Sequence, residues 1–123
     1  IGGSIRITGS GFVAFIVHGD IAIDSSVGQE SSSVIPSVEG IYIATTADRS
    51  GTFRTGLSTS SSTARFVGKG MFIADAFSLQ RDLYAYGGNV NYAAELFQYN
   101  PRLLFSMPDA MMDMPVVWQE VAP

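Results

Sequence analysis

The sequence predicts a mainly β fold, an antiparallel β-sandwich or partly open barrel with a helical segment near the C-terminus, and three observations predict it. Residues 1–74 break into short runs of β-branched and aromatic residues, each bounded by Gly, Ser or Asp. No helical pattern joins one run to the next, and helices are the usual crossovers between parallel strands. From Asp75 onward the apolar residues recur at three- and four-residue spacing, a helical period.

The elements follow in chain order. Residues 4–8 and 11–18 flank Gly9-Ser10, which predicts a hairpin at a glycine turn. Gly19 then divides off a short strand at 21–23. Residues 24–37 are Ser-rich and lack any apolar period, so they are expected to form a long loop. Over 39–46, Ile41, Ile43 and Thr45 alternate with Tyr42, Ala44 and Thr46, as in a half-buried strand. Asp48-Arg49-Ser50-Gly51 reads as a turn, 52–55 as a strand and 56–63 as a polar loop. Residues 64–67 and 71–74 enclose Gly68-Lys69-Gly70 and predict a second hairpin.

Phe77, Leu79, Leu83, Tyr84 and Tyr86 predict a helix over 75–86, stopped by Gly87-Gly88. A second helix over 91–99 has Asn91 as its cap and ends before Pro101. Ser106-Met107-Pro108-Asp109 resembles a capping box opening a short helix that Pro115 closes, and 116–121 is a final strand. The expectation is one domain over 1–123, β-rich to residue 74, helical over about 75–114, with a last strand at about 116–121. No repeat with a period of 20 to 50 residues is visible by eye.

Composition narrows the function classes. A chain of 123 residues and 13.1 kDa buries roughly two-thirds of its unfolded surface, enough for a core without staples. Its 46% apolar content argues against disorder, while its 15% charge is well below the roughly 25% of ordinary domains. The seven basic residues lie scattered within a net charge of −4, which disfavours direct nucleic-acid binding. The absence of cysteine excludes disulfides, thiolate catalysis and Cys-ligated metals. The longest apolar run, 12–17, is far too short to span a membrane as a helix. A start at Ile1 fits either a processed precursor or a truncated chain.

Few residues point to chemistry. His18, Asp20 and Asp24 would share one face of a continuous strand and could hold a metal or exchange protons. Strand rise sets Asp20 and Asp24 about 13 Å apart, too far for a paired-carboxylate site. They are expected to form a solvent-facing polar edge, and Ser25 and Ser26 lack a nucleophile-elbow motif. Gly9-Ser10-Gly11-Phe12-Val13-Ala14 has dinucleotide-site spacing, but a strand composition follows where a helix is required. Gly68-Lys69-Gly70 lacks the rest of a phosphate loop.

Met107, Met111, Met112 and Met114 lie within eight residues, beside Asp109 and Asp113. Thioethers suit Cu(I), but no His or Cys is near, so packing or a subunit contact shared with Trp118 is expected. Tyr84, Tyr86, Tyr92, Phe97, Tyr99 and Phe105 form an aromatic stretch suited to a core or an interface. The candidate interface is therefore Met107, Met111, Met112, Met114, Trp118, Tyr84, Tyr86 and Tyr99. No catalytic, cofactor-binding or metal-ligating residue is expected, and no cofactor. The function expected is a non-enzymatic structural or assembly subunit that joins copies of itself or a larger structural protein. A virion component (capsid, decoration, tail or fibre) or other extracellular assembly is the expected setting. The alternative is a monomeric module binding a small ligand or glycan.

Overall fold

The computed structural model describes residues 1–56, 64–83 and 90–112. Seven strands are present among these: β1 (Ala14–His18), β2 (Ile21–Ala22), β3 (Val38–Thr45), β4 (Thr52–Arg54), β5 (Phe66–Ala74), β6 (Ala76–Ser78) and β7 (Glu95–Tyr99). They form two sheets, ordered β1-β3-β5-β7 and β2-β4-β6. Every strand pair in both sheets is parallel.

The chain winds. A strand of the first sheet turns a corner into a short strand of the second, and a loop returns it one strand further along the first sheet. From Ala14 to its partner Ile41 is 27 residues, and from Ile41 to Met71 is 30. The expected antiparallel sandwich or barrel is thus corrected to a stack of parallel coils. Parallel neighbours need a crossover of a dozen residues or more, and here a short strand plus a loop supplies it in place of a helix. The 24–37 loop lies on one such return path, where an irregular connection had been expected.

Both expected hairpins fail for a related reason. Gly9 turns the chain with φ 62, and Gly11 N–H bonds to the Thr8 carbonyl at 3.1 Å. The flanking segments do not pair with each other. Ile5 bridges to Val38, so both lie beside β3. Gly68-Lys69-Gly70 runs straight through β5, where Gly70 (φ 149) lies beside Gly40 (φ 137) of β3. A Cβ on Gly70 would stand 1.9 Å from the Gly40 carbonyl oxygen, so glycine here serves close backbone approach.

Of the helices expected at 75–86 and 91–99, the described residues 75–83 hold β6 and no helix, and 91–99 holds β7; residues 84–86 lie outside the described residues. Helical spacing there misleads, because Phe77 is in register with Phe53, and Phe97 packs on Phe66 and Phe72 with centroids 5.4 and 5.1 Å away. The described helices are single turns, α1 (Arg102–Phe105) and α2 (Asp109–Met112). The second starts where the capping box was expected, but the Ser106 hydroxyl donates back to the Arg102 carbonyl. The strand expected at 116–121 lies outside the described residues.

The core fills the space between the sheets with Ile21, Ile23, Val27, Val38, Tyr42, Ala44, Phe53 and Phe66. In-register parallel pairing lines up like side chains in columns, as in a steric zipper. Phe15, Tyr42 and Phe72 stack with centroids 5.4 and 5.1 Å apart and planes within 13° and 5°. Each aromatic contact adds about 0.5–1.5 kcal/mol beyond its buried area. Phe53 meets Tyr42, Phe72 and Phe97 edge-on from the second sheet and so joins the two layers.

A buried cation closes the side of the stack. The Arg81 guanidinium donates to the carbonyls of Ser25, Asp24 and Val27 at 2.7, 2.8 and 2.9 Å, and to that of Thr55. Burial pulls its pKa down from the usual arginine value, while the charges of Glu95 and Asp24 push it back up. Glu95 Oε1 accepts from the Arg81 N–H at 2.7 Å and from the Thr55 hydroxyl at 2.9 Å. The first return loop, the end of β4 and the start of β7 therefore share one polar knot.

Candidate functional site

His18, Asp20 and Asp24 do not converge. His18 is exposed at the end of β1. Asp20 accepts the Thr52 N–H at 2.8 Å and pairs with Arg54 at 2.9 Å, tying the β1–β2 corner to β4. The Thr52 N–H, and after it Arg54, hold its carboxyl below the usual range. Asp24 accepts both the hydroxyl and the N–H of Ser26, at 2.7 and 2.9 Å, and these bonds lower its pKa too. Both carboxylates thus organise turns. Among the described residues no three His, Cys, Asp or Glu side chains are grouped to hold a metal.

The two ends of the coil stack present more surface chemistry. At the first end lies β1, whose inner edge pairs with β3 at all five residues. No described strand pairs with its outer edge. Ile16 is 65% exposed there and Phe15 37%. On the Phe15 side of the strand is a largely apolar hollow of about 180 Å³ lined by Ile1, Phe15, Val17, Asp20, Ile21 and Ala22. Ile1 covers the edge of β2, donating from its amino group to the Ala22 carbonyl at 2.7 Å and accepting from Asp24 at 2.8 Å.

At the other end β7 pairs only with Phe66 to Gly70 of β5, stopping at Gly70↔Tyr99. Pro101 follows and the chain turns into α1. The remaining part of β5, from Met71 to Ala74, and all of β6 have no described strand beyond them. Among the described residues a groove of about 530 Å³ lies here, lined mainly by Met71, Phe72, Phe77, Leu79, Phe97 and Tyr99. Gln98 and Gly70 complete the lining.

Of the interface residues expected from sequence, Tyr99 lines this groove and is 62% exposed. Met112 is exposed on α2, and Met107 and Met111 are half-buried. Tyr84, Tyr86, Met114 and Trp118 lie outside the described residues. Sequence reasoning missed Phe15, Ile16 and Phe77 as exposed residues, and half-buried Phe72 as part of the groove lining. The signal that could have found them is their recurrence in columns, Phe15–Tyr42–Phe72 and Ile16–Ile43–Ile73, at the spacing of one coil.

Among the described residues no helix is long and apolar enough to cross a membrane. The described residues define a short parallel β-stack whose outermost strands, β1 and β7, have no described strand on their outer edges. Comparison with protein-family models, curated proteins and solved structures found no match.

Proposed function

We propose that this protein is a non-enzymatic assembly subunit that joins copies of itself or a larger structural protein, as in a virus particle, fibre or other extracellular structure. One observation carries the reading: among the described residues, no strand pairs with the outer edge at either end of the coil stack, and large apolar side chains are exposed there. Stacked-coil proteins need polar caps at their termini to remain soluble alone, and open strand edges are templates for another chain. Low charge points the same way, since a surface covered by neighbours has less need of it.

The test is the mass of the full chain in solution at micromolar concentration. Assembly predicts a mass above the 13.1 kDa of one chain. A 13.1 kDa species at every concentration, with no larger structural protein bound to it in its native source, overturns the reading.

The groove favours a second reading. Its volume of about 530 Å³ is that of a small-ligand site. Its lining suits an apolar ligand better than the glycan expected from the aromatic stretch, because sugars need convergent polar groups. A monomer whose fluorescence responds to an apolar ligand would support this second reading against the first.

A further inference from the structure

We infer that the open edge of β1 is a two-fold interface, on which β1 of a second copy pairs antiparallel about Ile16. The inference rests on the assembly reading and specifies where the first contact lies.

The direction of the backbone groups comes first. The Val13 carbonyl accepts from Ile41 at 2.9 Å, and the Gly19 N–H donates to Thr45 at 3.1 Å. Strand alternation then aims the backbone groups of Val13, Phe15, Val17 and Gly19 at β3. Those of Ala14, Ile16 and His18 face the outer edge, with which no described strand pairs. An antiparallel copy centred on Ile16 sets Ile16 against its own symmetry mate in a hydrogen-bonded pair, and Ala14 against His18 on both sides. The free backbone groups of these three residues are then all satisfied.

The side chains allow the same arrangement. A two-fold axis perpendicular to the sheet keeps inner faces together. Phe15, which stacks on Tyr42, therefore comes opposite Val17 of the second copy on the core side. The apolar hollow beside Phe15, Val17 and Ile21 meets its own copy, so one contact closes two open cores. Ile16 meets Ile16 on the outer face. No like charges face each other, because His18 comes opposite Ala14 and Asp20 is already paired with Arg54. Edge strands that must stay alone carry Lys, Pro or a bulge, and Ala14–His18 carries none of them. The opposite edge differs, since β7 begins with Glu95 and is soon followed by Pro101. Two-fold contacts are self-complementary and closed, the commonest form of homo-oligomer.

Two variants of the full chain test this. Ile16→Lys sets two ammonium groups against each other at the axis and should weaken self-association by about tenfold or more. The side chain points outward, so the circular dichroism and melting of the monomer should be unchanged. The chain has no cysteine, so Ile16→Cys offers a single thiol for a short bismaleimide cross-linker. It should give a covalent dimer in high yield, whereas Ile73→Cys, exposed in the same column two strands away, should not. Cross-linking at neither position, or equally at both, overturns the interface, and this comparison decides should Ile16→Lys fail to fold. If the wild-type chain assembles and Ile16→Lys leaves its mass unchanged, the β1 interface falls while the assembly reading stands. A wild-type chain of 13.1 kDa at every concentration removes both.

Discussion

Single residues carry the close approaches that let the coils stack. Gly70 has both a left-handed φ and no room for a side chain, since its Cβ would press on the Gly40 carbonyl oxygen. Gly70→Ala should destabilise the fold by on the order of 3 kcal/mol, read as a lower denaturant midpoint. Tyr42 shows how burial sets a titration. Its ring lies between Phe15 and Phe72, and its hydroxyl donates to the Glu39 carbonyl at 3.1 Å. Burial, helped by the Glu39 charge, pushes its pKa from 10.0 up to about 12. The unfolded chain therefore loses this proton first, and the contribution of Tyr42 is complete below pH 10 and lost as pH rises towards 12. Tyr42→Phe keeps the stack, costs about 1 kcal/mol at neutral pH, and should flatten the alkaline arm of the stability profile. An alkaline arm unchanged by the substitution would count against this account.

At the scale of elements, the sequence was legible at the alternating strand 39–46 and the turn that follows it, but not at Gly68-Lys69-Gly70, which is strand rather than turn. Residues 39–46 were expected as a strand, and β3 covers 38–45; the turn expected at 48–51 sits between β3 and β4, with Arg49 at φ 59. Strand partners were not legible. Period-two alternation marks a buried face but says nothing about whether the neighbouring strand is parallel or some 30 residues away. The 75–99 region failed because its apolar spacing reflects packing of Phe77 and Phe97 against other coils. Arg81 was a lone cation in sequence and a knot in the structure. Arg81→Met leaves the carbonyls of Asp24, Ser25, Val27 and Thr55 without this donor, and should cost about 3–5 kcal/mol in equilibrium unfolding. Arg81→Lys should recover only part of that loss, because an ammonium lacks the planar fork.

For the whole molecule, the ends of the described stack carry the proposed assembly. Association that favours the folded state raises its apparent stability by mass action. The melting temperature should therefore rise with protein concentration across the micromolar range. A melting temperature independent of concentration would agree with a monomer and oppose assembly. The candidate surfaces were half legible: Tyr99 was expected at an interface, but the groove around it is assembled from β5, β6 and β7. The edge at Ile16 was hidden inside an expected hairpin.

The sequence by itself determined that the chain is mainly β, that residues 24–37 form a connection without strands, and that no thiol chemistry is possible. These follow from composition and local spacing, which act over a few residues. Only the tertiary structure decided that the sheets are parallel, that Gly40 and Gly70 touch, and that Phe15, Tyr42 and Phe72 form one stack. Each of those depends on residues roughly 30 positions apart being brought to the same column, and local periodicity carries no information about that distance.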